Sequence, residues 1–211
     1  MKLYTFFRSG TSHRLRIALN LKGMSYEQVA VDLRSEQHLL PEYERVNPQR
    51  LVPALELDGD ILTQSPAIIE WLEERYPSPP LLPGDAIKRA RVRALAAIVG
   101  CDIHPVNNRR ILEALRHRFG ADEAAINGWC ATWISEGFDA FEALTKEHGP
   151  GPFAFGPTPT LADVYLVPQI ESARRFKLEL ARWPRLVEID AACGALDAFR
   201  QAVPGAQPDA S

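Results

Sequence analysis

The chain is poor in cysteine: Cys101, Cys130 and Cys193 are scattered, odd in number and without the spacing of a metal site or a disulfide framework. Free thiols, and with them a cytoplasmic location, are expected. No stretch approaches the roughly 20 apolar residues of a membrane span. Met1 leads almost directly into the strand-like Leu3-Tyr4-Thr5-Phe6, so no signal peptide is expected. An excess of charge is lacking too. Lys and Arg total 24 against 27 Asp and Glu, a formal net charge of -3, which gives no general pull toward nucleic acid or an anionic membrane. There is no internal repeat, no nucleic-acid motif and no metal-ligand cluster. What remains, 211 residues with 46% hydrophobic and 24% charged side chains, suits a globular protein of one large or two modest domains.

The first part alternates strand and helix signals. After Leu3–Phe6, the segment around Leu15, Leu19 and Met24 has helical spacing, and Tyr26–Val31 reads as a second strand. Gln37 to Val46 is short and irregular and is closed by Asn47-Pro48. Ala54–Leu57, Asp58-Gly59-Asp60 and Ile61-Leu62 give a hairpin. Ser65-Pro66 then opens a helix, with Ser65 as N-cap, Pro66 at the first helical position and Ile68, Ile69, Leu72 and Tyr76 on its face. The order is strand, helix, strand, helix, strand, strand, helix, which predicts a small mixed sheet and excludes a doubly wound one.

Pro77 to Asp85, with four prolines, cannot continue a helix and is read as a linker. Almost nothing beyond it reads as strand. Helices are expected from Ala86 to about Ala114, disturbed at His104-Pro105, and from about Asp122 to before Gly149-Pro150-Gly151-Pro152. Thr160-Leu161-Ala162-Asp163 has the form of a capping box, another helix begins near Pro184, and Pro204–Ser211 reads as a loose tail. The fold class is therefore α/β plus all-α, with domains over 1–80 and 86–211.

The chemistry centres on Arg8-Ser9-Gly10-Thr11-Ser12, a polar turn between the first strand and the first helix. Free N–H groups and the positive end of the helix dipole meet hydroxyls there, a setting that stabilises an anion or a thiolate. Ser9 and Thr11 serve equally well as helix caps. In a thioredoxin-like fold a Cys-x-x-Cys pair occupies this place. Ser9-Gly10-Thr11-Ser12 carries no sulfur, so any thiol must come from a ligand.

Several motifs resemble one family. Phe7-Arg8-Ser9-x-x-Ser12-x-Arg14-x-Arg16-Ile17-Ala18-Leu19 is similar to the amino-terminal signature of zeta-class glutathione transferases. Asn47-Pro48-x-x-x-Val52-Pro53, Gln64-Ser65-x-Ala67-Ile68-Ile69-Glu70, Leu161-Ala162-Asp163-x-x-Leu166-Val167-Pro168-Gln169 and Arg175-Phe176-Lys177 extend the likeness over nearly the whole chain. The chain departs from the family at Gly10-Thr11, where Ser-Cys is usual. The resemblance implies a thioredoxin-like glutathione-binding domain, an all-helical domain for substrate and dimer contacts, and a homodimer.

It also implies roles. Ser9, with Thr11 second, would activate the thiol of glutathione, next to Gly10. Pro53 would be cis, presenting the Val52 backbone to the cysteinyl part; the residues alone predict trans, since about 5–6% of X–Pro bonds are cis. Gln64 and Ser65 would hold the glutamyl end, with His38 and Gln49 nearby, although Ser65 is an N-cap candidate in any case. Asp102, His104, Asn108 and Arg109 would fall near the cleft, His104 and Asn108 four apart on one helical face. Arg8, Arg110 and Arg175 would bind a dicarboxylate substrate through planar guanidinium groups, with Arg174 as the alternative to Arg175 and with Arg110 also near glutathione.

The activity implied is cis-trans isomerisation of a maleyl keto acid, maleylpyruvate to fumarylpyruvate foremost, as in bacterial breakdown of aromatic acids of the gentisate type. Thiolate addition, bond rotation and elimination return the glutathione. Maleylacetoacetate is the alternative substrate. Glutathione transfer or dehalogenation on 2-halo acids is the alternative reaction, and a non-catalytic binding module is a remote one.

Overall fold

The computed structural model describes residues 1–147 and 151–210; Gly149-Pro150, part of the expected helix stop, and the terminal Ser211 lie outside them. The chain divides into two compact units, Met1–Leu81 with Gly194–Ser211, and Leu82–Cys193. Against domains over 1–80 and 86–211, the carboxyl-terminal segment goes with the first unit.

That unit is built on a mixed sheet of β1 (Lys2–Thr5), β2 (Glu27–Ala30), β3 (Ala54–Leu57) and β4 (Asp60–Thr63), in the order β2-β1-β3-β4. β1 runs parallel to β2 with Leu3 opposite Gln28, and antiparallel to β3 with Leu3 opposite Leu55. The hairpin β3–β4 turns on Asp58-Gly59, whose φ values of 49° and 91° are the positive pair that a two-residue turn needs.

α1 (Gly10–Leu21) precedes the one-turn α2 (Pro41–Glu44) and packs on α3 (Ser65–Arg75) and on the short α9 (Asp197–Arg200). It is buried from Ser12 to Leu19, so its basic side chains need internal partners. Arg16, fully buried, donates to Thr5 Oγ1 at 3.1 Å and to the carbonyls of Phe7 and Ala202, each at 3.0 Å. Beyond α1, the buried Lys22 donates to Glu73 Oε2 and to the carbonyls of Tyr76 and Pro79, which fixes the start of the proline-rich linker. Gly23, with φ 65°, lets the Met24 N–H return to the Leu19 carbonyl and end the helix.

Two expectations fail in this unit. Ser65 is not the N-cap of α3. Gln64 takes that place, and Ser65 and Pro66 are the first two helical residues, because the Ser65 hydroxyl is bonded by Arg14 and not by a helix N–H. Nor is Pro204–Ser211 a loose tail over its described residues. Gln207 is buried, donates to the Gln201 and Val203 carbonyls and accepts from Gln28, while Asp209 accepts from the Phe7 N–H.

The second unit is helical. α4 (Ala86–Ala97) is capped by Asp85 and runs into a π-helical turn, Ile98–Ile103. α5 (Arg109–Phe119) begins only after residues 104–108, which form turns and a bend. The helix expected across His104-Pro105 is therefore broken: Pro105 has no N–H, and the His104 N–H reaches back five residues to Val99. His104 and Asn108 do not share a helical face.

α6 (Glu123–Glu147) packs against the π-turn, and a Cβ on its Gly137 would lie 2.3 Å from Ile103 Cδ1, so only glycine fits that crossing unless Ile103 moves. α7 (Leu161–Arg175) has the predicted capping box: Asp163 Oδ2 accepts from the Thr160 N–H and hydroxyl, and Oδ1 from the Ala154 N–H. Burial pushes the Asp163 pKa up. Glu142 of α6 accepts from the Arg185 and Leu186 N–H groups at the start of α8 (Pro184–Gly194). No helix among the described residues is long and apolar enough to cross a membrane.

Candidate active site

The site is built at the two helix amino ends of the first unit. Ser9, with φ -70° and ψ 121°, is the N-cap of α1, and its Oγ accepts from the Ser12 N–H at 3.2 Å. The His13 N–H returns to the Ser9 carbonyl. The N–H groups of Gly10 and Thr11, in the first turn, have no acceptor within the helix.

Hydrogen-bond polarity sorts the two hydroxyls. Thr11 Oγ1 lies 2.9 Å from the Val52 carbonyl, which can only accept, so Thr11 donates its one proton there. In the Ser9–Thr11 contact, also 2.9 Å, Ser9 is then the donor. The result is a relay from Ser9 to Thr11 to Val52. Thr11 is committed to the loop. Ser9 can turn its proton elsewhere at the cost of one hydrogen bond.

The loop carrying Val52 is held from below. Tyr43 Oη and Asn47 Nδ2 both donate to the Leu51 carbonyl at 2.7 Å, and Asn47 Oδ1 accepts from the Gln49 N–H. Tyr43, Val52, Phe6, Phe7 and Val31 form one apolar cluster under the turn, and burial drives the Tyr43 phenol pKa upward. The Val52–Pro53 peptide bond is cis, as the family likeness implied.

At the second helix end, Gln64 has φ 66° and ψ 105°, a backbone state that costs a non-glycine residue about 1–3 kcal/mol. Its amide donates to Gln49 Oε1, so Gln49 and Gln64 meet although 15 residues apart. Ser65 is buried at the first helical position, with the equally buried Arg14 donating to its hydroxyl at 3.3 Å. A fixed positive charge thus lies behind the N–H groups of α3, the arrangement that receives a carboxylate. His38 sits half-buried in a separate 3-10 turn, Gln37–Leu39, and Arg8 is exposed directly before Ser9. Burial, with the Arg16 charge second, takes His13 of α1 down to about 3, so its imidazole is neutral at physiological pH.

The remaining predicted residues belong to the second unit. Asp102 is exposed on the π-turn, and His104 is half-buried just past it. Asn108 is the N-cap of α5, its Oδ1 accepting from the Arg110 N–H at 3.2 Å. Arg109 and Arg110 are exposed on the first turn of that helix. Arg174 is paired with Asp190 and Glu171, whereas Arg175 donates to Ser172 Oγ and stacks on the Phe176 ring. Sequence reasoning gave no role to Arg14, Tyr43 or Asn47. An arginine between Leu15 and a buried serine turn was the available signal for the first, and Asn47-Pro48 for the last.

Residues 3–80 match the model for the glutathione S-transferase amino-terminal domain, and residues 109–202 that for the carboxyl-terminal domain. The chain is 67% identical over 212 residues to a maleylpyruvate isomerase of a Ralstonia species, covering 100% of both. A solved holo structure of maleyl pyruvate isomerase, a bacterial zeta-class glutathione-s-transferase, superposes with a TM-score of 0.99 at 67% identity over 100% of each chain. The glutathione-bound maleylacetoacetate isomerase of Anaeromyxobacter dehalogenans superposes with a TM-score of 0.89 at 44% identity, over 100% of this chain and 97% of that one.

Proposed function

As this chain belongs to the glutathione S-transferase family, we propose that it isomerises a maleyl keto acid, maleylpyruvate foremost, to the fumaryl form with glutathione as cofactor. The observation that carries the reading is the Ser9–Thr11–Val52 relay at the amino end of a helix whose turn has no cysteine of its own. The likeness to the Ralstonia enzyme supports the choice of substrate.

When bound, glutathione supplies a thiolate that adds to the maleyl double bond, lets it rotate as a single bond, and leaves. Ser9 turns its hydroxyl proton from Thr11 toward the sulfur and favours the charged form, helped by the dipole of α1 and the Gly10 and Thr11 N–H groups. Thr11 keeps the Val52 loop in register, so that the Val52 backbone pairs with the cysteinyl part beside Pro53. Gln49, Gln64 and Ser65 take the glutamyl end, with Arg14 behind them and His38 nearby. Arg8, beside Ser9, binds a substrate carboxylate and stabilises charge that develops next to it.

On the family likeness alone, Asp102, His104, Asn108 and Arg109 stay with the cofactor, Arg175 with the substrate, and Arg110 with both. A homodimer in the cytoplasm completes the reading, and sedimentation of the purified protein tests the dimer.

The first test is the ultraviolet absorbance of maleylpyruvate mixed with enzyme, with and without catalytic glutathione, alongside maleylacetoacetate. Conversion to the fumaryl isomer only with glutathione, and without net thiol loss, is expected. No conversion, with glutathione consumed against a 2-halo acid instead, would overturn the isomerase in favour of a transferase.

A further inference from the structure

Phe7 precedes Arg8 and Ser9, and the carboxyl-terminal segment holds its N–H directly and its carbonyl through Arg16. Its N–H donates to Asp209 Oδ2 at 2.9 Å. Its carbonyl accepts from Arg16 Nη2 at 3.0 Å, and the Nε of the same guanidinium donates to the Ala202 carbonyl. The Ser9 N–H in turn donates to the Phe6 carbonyl at 3.0 Å, so the peptide between Phe6 and Phe7 is the near end of the turn that delivers Ser9.

The segment is itself well anchored. Gln207, 5% exposed, donates to the Gln201 and Val203 carbonyls at 2.8 and 2.7 Å and accepts from Gln28 of β2 at 3.0 Å. Ala210 packs against the apolar cluster that contains both Phe7 and Val52, the two ends of the hydroxyl relay's support. The Asp209 charge acts on Arg16 and on Arg34, and the Arg34 guanidinium lies over the Phe6 and Phe7 rings.

We propose that Asp209 is a positioning residue for Ser9: by holding the Phe7 N–H, it sets the turn in which the Ser9 hydroxyl faces Thr11 and the incoming thiol. The role is served from the far end of the chain, 202 residues away. It rests on the reading of Ser9 as the group that activates glutathione. Misplacement of a reacting group by about 1 Å can cost on the order of a hundredfold in rate, so a partly loosened turn falls within measurable range.

The test uses the full-length protein with Asp209→Ala, Asp209→Glu and Asp209→Asn. Asn keeps an acceptor at the same reach. Glu keeps the charge and moves the acceptor by one methylene. The readouts are the thiolate absorbance of bound glutathione against pH, and kcat against the KM for glutathione. Ala and Glu are expected to raise the apparent thiol pKa by about one unit and to lower kcat near neutral pH about tenfold, with KM changed by less than about threefold. Asn is expected to restore most of both.

If Ala does not fold, the contrast between Glu and Asn decides. Wild-type thiolate with an unchanged pH profile in Glu, and in Ala where it folds, overturns the positioning role and leaves Ser9 untouched, even if stability falls. Absence of bound thiolate in the wild type overturns the reading of Ser9, and the role of Asp209 falls with it.

Discussion

Replacing Ser9 by Ala and, separately, Thr11 by Val tests the direction of the hydroxyl relay. In the wild type Thr11 has one proton and gives it to the Val52 carbonyl, so only Ser9 can offer a proton to a thiolate without releasing the loop. A hydrogen bond to a charged acceptor contributes about 1.5–3 kcal/mol. Its loss in Ser9→Ala should raise the apparent pKa of bound glutathione by about 1–2 units and lower kcat by about 10- to 150-fold below that pKa. The same change removes the cap on the Ser12 N–H, at about 1 kcal/mol of stability, which urea unfolding measures separately. Thr11→Val loses a part-buried bond worth about 0.5–1.5 kcal/mol and should slow turnover only several-fold. The assay is initial isomerisation rate at saturating glutathione from pH 5.5 to 8.5. A Ser9→Ala enzyme within about threefold of wild type, beside a Thr11→Val enzyme slowed about a hundredfold, would refute the donor assignment.

Arg8→Met should cut isomerase turnover about a hundredfold or more while glutathione affinity, measured by calorimetry, changes little; equal losses in both would remove Arg8 from the substrate. Lys22→Met should destabilise by about 3–5 kcal/mol, because Glu73 would lose its charged partner in a buried place. Lys22→Met with Glu73→Gln should recover about half of that in urea unfolding, and simple additivity of the two losses would contradict the pairing. For His13, the folded value of about 3 lies below the unfolded 6.5, so the unfolded chain binds the extra proton between them and stability falls as pH falls. Relative to His13→Gln, the wild type should lose about 1.4 kcal/mol per pH unit from about pH 6 to 4, and parallel stability curves would show the imidazole to be solvated.

Local chemistry made much of the fold legible. The Asp58-Gly59 hairpin, the proline-rich linker and the Thr160–Asp163 box each announce themselves within a few residues, and each is found in the structure. What failed was decided at a distance. The final segment looked loose because it has no apolar periodicity. Its order comes from polar bonds to Phe7 and Gln28, 202 and 179 residues earlier, which no window on the sequence contains. Ser65 looked like a cap for the same reason: the competing partner, Arg14, lies on another helix. In the site, the turn at Ser9 and the pairing of Gln64 with Ser65 were legible as motifs. The direction of the relay was not, because it depends on a Thr11 bond to a carbonyl 41 residues away.

That the first unit is closed by the last residues has a consequence for how the chain is made. Synthesis delivers Met1–Leu81 first, then the whole helical unit, and only then Gly194–Ser211. Until Gly194–Ser211 has been made, the Arg16 guanidinium has two of its three acceptors, and the Phe7 N–H has none. A nascent chain that stops after the helical unit therefore has its sheet-forming residues complete and lacks the Asp209 bond to the turn before Ser9. The order of emergence leaves the Phe7 N–H without its acceptor until Asp209 has been made.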